Sequence, residues 1–177
     1  MDRIGIVFSG SGGQGVITAA IILAEAAVVH EGLYALQAQS YGPEARGGAT
    51  RSDVIISSSV IHFPKVVFPN LLVALTQEAY NKYNGMVVPG ATIITDKRYV
   101  VPKKNSDAIQ KEFNIYDSVI EQIGNPVVLN ICMLGIVIQM THVVKPESVL
   151  KTLANRMNPK FLEMNEKALR LGIKMAE

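Results

Sequence analysis

The stretch "RIGIVFSGSGGQGVITAAIILAEAAVVHEG", residues 3–32, limits the possible folds more than any other part of the chain. An alternating, β-rich apolar run over 3–8 meets a glycine loop, and the loop opens a segment from Val16 to Val29 rich in Ala and Ile and free of Gly and Pro. That segment is too long for an ordinary strand and has the composition of a helix, which Gly32 stops. A strand, a tight glycine turn and a helix in this order open an α/β domain. The 177 residues, 49% of them hydrophobic, are enough to bury one sizeable core, so we read one domain over residues 1–177.

The remaining punctuation fits that class. "LYALQAQ" reads as a second strand, "SYGPEARGGATRSD" as loop, and "VIIS", "VIHF", "LLVAL" and "ATIIT" as further short strands, with "TQEAYNKY" a helix between the last two. Asn125 and Pro126 give a cap and first-turn signal for a long apolar segment, 126–144, whose Asn130, Gln139, Thr141 and His142 favour a buried helix over a membrane span. Pro146 starts another helix through Met157, and "KFLEMNEKALRLGIKMAE" keeps apolar residues at three- and four-residue spacing. The expectation is a single Rossmann-like α/β domain, a mostly parallel sheet flanked by helices, with a helical C-terminal third.

Several function classes are disfavoured. Seventeen basic residues against 15 acidic give a net charge of +2, no electrostatic footprint for nucleic acid or an anionic membrane. Cys132 is the only cysteine, which leaves no internal disulfide, no CxxC pair and no cysteine set for an iron–sulfur cluster or structural zinc, and suits a reducing cytoplasm. The N-terminal apolar run is too short for a signal sequence. His30, His62 and His142 lack ligand spacing, and Ser9 stands where a nucleophile elbow around Ser11 needs glycine. No residue is expected to be catalytic, and no metal or cofactor to be bound by this chain alone.

Gly10, Gly12 and Gly15 match the dinucleotide fingerprint, in which successive glycines permit a tight turn, close approach of a pyrophosphate and helix–strand packing. Nicotinamide binding also needs an acid at the end of the second strand; Gln37 and Gln39 stand there, and Glu31 precedes it on the helix. The loop therefore suits a phosphate, close approach of another backbone, or a turn with no ligand. A second loop, residues 39–53, puts Tyr41, Glu44, Arg46 and Arg51 among Gly42, Gly47 and Gly48, and belongs near the carboxyl edge of the sheet beside the first. Taken alone, it reads as a solvated turn before it reads as a site.

"GSGGQGVITAAIILAEAA" followed by "YGPEARGGATRSDVIIS" resembles the gamma subunit of thiamine-diphosphate-dependent 2-oxoacid:ferredoxin oxidoreductases, and the likeness runs on through "NICMLG" and "NEKALRLG". The GGQG motif falls on Gly12, Gly13, Gln14 and Gly15, and the second motif on Tyr41, Gly42, Pro43, Glu44, Ala45, Arg46, Gly47 and Gly48. In pyruvate-type relatives the second motif tends to read FGPERRG followed by Ala-Pro; the YGPEARGGAT of this chain leans toward the 2-oxoglutarate type, with pyruvate and branched-chain 2-oxoacids as alternatives. The resemblance implies a pyruvate/ketoisovalerate ferredoxin oxidoreductase gamma-type domain and alpha, beta and possibly delta partner subunits. It further implies thiamine diphosphate, Mg and iron–sulfur clusters held by those other subunits, coenzyme A as a substrate and ferredoxin as electron acceptor. The two motifs are then expected to contact either a partner subunit or a phosphate of coenzyme A.

Overall fold

Residues 3–39, 48–103 and 107–177 are described by a computed structural model of the chain. Strands β1 (Ile4–Gly10), β2 (Tyr34–Gln39), β3 (Thr50–Ser57), β4 (Leu71–Ala74), β5 (Thr92–Asp96) and β6 (Ile109–Phe113) form one sheet in the order β2-β3-β1-β4-β5-β6. Neighbours β1, β4, β5 and β6 pair in parallel, while β3 is antiparallel to both β1 and β2. The sheet is therefore mostly parallel, with β3 alone running against the rest.

Alternation decides which helix covers which face. Ile6 and Phe8 of β1, with Val54, Val73 and Ile94 of its neighbours, pack on helices α1 (Val16–Glu31), α3 (Ile115–Gln122), α4 (Leu129–Thr141), α5 (Pro146–Arg156) and α6 (Pro159–Met175). Val7, Ile55, Leu72 and Ile93 face the other way, onto Ala79, Tyr80 and Tyr83 of α2 (Gln77–Tyr83). Strands covered on both faces read as continuous apolar runs, which is what "VIIS" and "LLVAL" show. Residues 129–138 of α4 are all buried, so the apolar segment is a core helix, as its length and polar interruptions require. No helix among the described residues is long and apolar enough to cross a membrane.

The helical ends follow their sequence signals. Gly32 closes α1 in the left-handed region, and Thr76 caps α2 by accepting from the Ala79 N–H. Asn125 caps the single 3-10 turn over 126–128 that leads into α4. Glu31 ends α1 and reaches across to α5, where its Oε1 accepts from the Lys145 N–H at 2.9 Å and the Ser148 hydroxyl at 2.5 Å.

Three expectations change. "VIHF" is not a strand: the connection from β3 to β4 must cross beneath the start of β1, and residues 58–70 do this in irregular backbone, with Val60 and Phe63 exposed. The loop expected over 40–53 ends earlier, because residues from Thr50 onward pair with β1, Thr50 opposite Gly10. β6 and α3 carry too mixed a pattern to be read as elements; β6 is an edge strand whose Lys111 and Glu112 break the apolar alternation.

Candidate functional site

The carboxyl ends of β1, β4, β5 and β6 share one end of the sheet. From β1 the chain passes through α1 toward β2 on one side, and from β4 through α2 toward β5 on the other. Where such connections diverge, an open α/β sheet leaves a crevice that takes ligands and partners. Here it is a cleft of about 510 Å³. One wall is Ser11, Gly13 and Gln14 of the glycine loop; Thr76 follows β4, Tyr99 follows β5, Tyr116 begins α3, and 125–127 close the side.

The glycines divide their work differently from the dinucleotide pattern. The turn lies at Gly13 and Gly15, with φ of 89° and 70°, a region in which only glycine is relaxed. Close packing falls to Gly10, where an added methyl would press on Leu75 and Val16, and to Gly15, where it would meet the Asn130 side chain of α4 at 2.6–2.9 Å. Around Gly12 and Gly13 nothing among the described residues stands within 4 Å of such a methyl, so that part of the loop is open on that side. Gln14 secures the turn itself: its Oε1 accepts from the Ser11 N–H at 2.8 Å.

Helix α1 begins here without a side-chain cap and without an acid in its first turn. Its first internal bond is Ala19 N–H to the Gly15 carbonyl, which leaves the N–H groups of Val16, Ile17 and Thr18 outside the helical ladder, beside a concavity lined by Gly12, Gly13 and Thr50. Such a terminus favours negative charge or a carbonyl acceptor.

Opposite the glycine loop, Tyr99 and Tyr116 meet edge to face with centroids 5.6 Å apart, and the Arg98 guanidinium lies 4.8 Å from the Tyr116 centroid while pairing with Asp117 at 2.6 Å. Asp96 organises this wall. Its carboxylate is buried and accepts from the Arg98 N–H at 3.0 Å and the Tyr116 N–H at 2.9 Å, yet burial outweighs both bonds and pushes its pKa up. Thr76, Tyr99, Tyr116 and Asn125 are absent from the sequence reading of the site. For Thr76, Tyr99 and Tyr116 the available signal was a position just beyond a strand end, which for Tyr116 needs β6 to be placed first; Asn125, after α3, carried no such signal.

Of the second motif, Gly48 lies within the described residues and lines a hollow of about 260 Å³ together with Gly10, Ser11, Gly12 and Thr50, so the two loops do meet. Tyr41, Gly42, Pro43, Glu44, Ala45, Arg46 and Gly47 lie outside the described residues. Arg51 is not a loop residue. It sits in β3, holds Asp53 through two bonds of 2.6 and 2.9 Å, donates to the Val66 carbonyl and lies 5.3 Å from the Tyr83 centroid, so its charge is used within the fold.

The register also explains why a dinucleotide is poorly served. Gln39 pairs with Ser52, and Ser52 with Phe8, so β3 separates the end of β2 from β1 by two strand spacings, roughly 10 Å. In the dinucleotide fold those two strands are neighbours and the acid reaches the ribose directly.

Burial pushes the Cys132 thiol up to about 12, and no group of three His, Cys, Asp or Glu side chains among the described residues is placed to hold an ion.

Comparison with known proteins gives a consistent result. The family model described as pyruvate ferredoxin/flavodoxin oxidoreductase matches residues 5–175. The 2-oxoglutarate synthase subunit KorC of Methanocaldococcus jannaschii is 40% identical over 174 residues, 97% of this chain and 93% of that protein. The pyruvate/ketoisovalerate oxidoreductases common subunit gamma of Pyrococcus abyssi is 34% identical, covering 94% of each. The crystal structure of a keto/oxoacid ferredoxin oxidoreductase gamma subunit from Geobacter sulfurreducens superposes with a TM-score of 0.88 at 39% identity, over 98% of both chains.

Proposed function

The chain belongs to the pyruvate ferredoxin/flavodoxin oxidoreductase family, and we propose that it serves as the gamma-type subunit of an enzyme acting on 2-oxoglutarate. One observation carries this reading: 40% identity spanning nearly all of both chains to a 2-oxoglutarate synthase subunit, against 34% to a subunit shared by pyruvate and ketoisovalerate enzymes. The reaction of the whole complex is 2-oxoglutarate, coenzyme A and oxidised ferredoxin to succinyl-CoA, carbon dioxide and reduced ferredoxin, two electrons passing to the acceptor. The whole chain, 1–177, acts as one domain in that complex.

Thiamine diphosphate, Mg and iron–sulfur clusters belong to the alpha, beta or delta partners. The buried, protonated Cys132 does not fit a cluster. What this chain contributes is a docking face at the carboxyl end of its sheet. The open backbone at Gly12 and Gly13 and the uncapped start of α1 fit the close approach of a partner subunit's backbone or carboxylate. The same groups fit a phosphate of coenzyme A. The interface reading is favoured because the described part of the loop carries no cationic side chain to complete a phosphate site.

The test is purification of the tagged chain from its native cell, identification of the chains that accompany it, and assay of the complex with 2-oxoglutarate, pyruvate and branched-chain 2-oxoacids. Succinyl-CoA formation that needs this chain supports the proposal; preference for pyruvate redirects it to the pyruvate enzyme. Low-micromolar binding of NAD or NADP by the isolated chain, in place of affinity on the order of millimolar, points instead to an autonomous nucleotide enzyme.

A further inference from the structure

Adjoining the cleft, with Gly13 and Val127 shared between the two, lies a second cavity of about 300 Å³ between the start of α1, the 126–128 turn and the junction of α5 with α6. Its apolar lining includes Val127, Met157, Phe161 and Met164, with Phe161 49% and Val127 66% exposed at the rim. Two asparagines line it as well, and both are more than nine-tenths buried: Asn130 is 7% exposed and Asn165 5%.

Each asparagine has its amide oriented by a carbonyl. Asn130 Nδ2 donates to the Gly15 carbonyl at 3.2 Å, and Asn165 Nδ2 to the Phe161 carbonyl at 2.7 Å. An amide that donates to a carbonyl must present nitrogen there, so both Oδ1 atoms are left as acceptors, and neither takes a partner from the described residues. Neither oxygen is sealed from solvent, so an incoming group can reach both.

Resting on the subunit reading above, we propose that this cavity is the socket for an extended segment of a partner subunit, which inserts a Leu- or Met-like side chain while its backbone N–H groups donate to Asn130 and Asn165. A peptide joins what the cavity asks for. It sets neutral N–H donors beside an apolar side chain, and its carbonyls suit the free N–H groups at the start of α1. No cation lines the cavity, which argues against a phosphorylated ligand. Methionine linings adapt to an incoming side chain, and exposed apolar rims around a deep pocket are where interface hot spots form.

The test uses the complex isolated through a tag on this chain. Phe161→p-benzoylphenylalanine should photo-cross-link to one segment of an identified partner subunit, with an apolar residue at its centre. Phe161→Glu changes a half-exposed side chain, so the isolated chain should keep its melting temperature while assembly weakens about tenfold or more. The KM for coenzyme A in the assembled fraction should be unchanged. Cross-links confined to this chain, wild-type assembly of Phe161→Glu, or normal assembly with a raised KM for coenzyme A each overturn the socket, the last by giving the cavity to a small molecule. A wild-type chain that brings down no oxidoreductase subunit overturns the functional reading itself, and the socket with it.

Discussion

Asn130, a buried amide within the fully buried stretch 129–138 of α4, occupies the space where a Gly15 side chain would stand and donates to the Gly15 carbonyl at 3.2 Å. The two residues are 115 positions apart, and their contact ties the glycine turn to the core helix behind it. Gly15→Ala has to force a left-handed alanine and displace Asn130 as well. The first effect is worth about 1–2 kcal/mol and the second about 1–3 kcal/mol. Urea denaturation should show a loss of about 2–5 kcal/mol, part of it recovered in the double variant Gly15→Ala/Asn130→Ala. Additive losses in that cycle would show that the contact is incidental.

A second glycine pair sets the crossing of α4 and α6. A methyl on Gly172 would overlap the Cys132 carbonyl, and one on Gly135 the Leu169 carbonyl, so the two backbones touch without side chains between them. Neither alanine can be accommodated by turning a rotamer. Gly135→Ala and Gly172→Ala are each expected to lower stability by about 1–3 kcal/mol or more, read from the thermal midpoint of the isolated chain.

Arg51 and Arg46 should separate cleanly in experiment. Arg51→Ala leaves Asp53 without its partner inside the fold and should destabilise the isolated chain by about 1.5–3 kcal/mol. Arg46→Ala, in the second motif, should leave the isolated chain as stable as wild type and act only in the complex, at about 2–5 kcal/mol for a partly buried charge pair. Weakened assembly would assign Arg46 to the interface, and a raised KM for coenzyme A alone would assign it to phosphate. Unchanged assembly and kinetics would make it a solvated loop residue.

Glu31 gives a pH signature. Its pKa is lowered from the ordinary 4.5, chiefly by the Ser148 hydroxyl and then by the Lys145 N–H. A carboxylate with a lowered folded pKa stabilises the fold above its unfolded pKa and loses that contribution as pH falls through the folded one. Glu31→Gln should therefore cost about 0.5–1 kcal/mol at neutral pH, a capping-scale effect, and the gap to wild type should close as pH falls through the lowered folded pKa. A gap that persists in acid would mean the charge is not what matters.

Cys132 should be silent in the folded chain. With its thiol pushed up to about 12, roughly one molecule in ten thousand carries thiolate at pH 8, and the side chain is fully buried. A thiol reagent should react only at the rate of unfolding, and rapid labelling without denaturant would contradict the packing of α4 on α6.

Much of this protein is written locally. The first strand, glycine turn and helix, the stop at Gly32, the caps at Thr76 and Asn125 and the prolines that start α5 and α6 each depend on residues within a few positions, so periodicity and capping chemistry reveal them. The two motifs were likewise legible, and so was the approach of Gly48 to the glycine loop. What the sequence could not show is set by contacts between distant segments. Whether "VIHF" became a strand depended on the chain having to pass under β1, not on its β-branched residues. Arg51 read as a loop cation until pairing of Thr50 with Gly10 turned the segment into strand and delivered it to Asp53 and Tyr83. The aromatic wall of Tyr99 and Tyr116 gathers residues from separate connections around the cleft, and Asn130 of α4 and Asn165 of α6 come together only at the second cavity. Burial and the demand that polar groups find partners act on the assembled surface, and no local pattern of residues encodes which distant backbone will supply the missing bond.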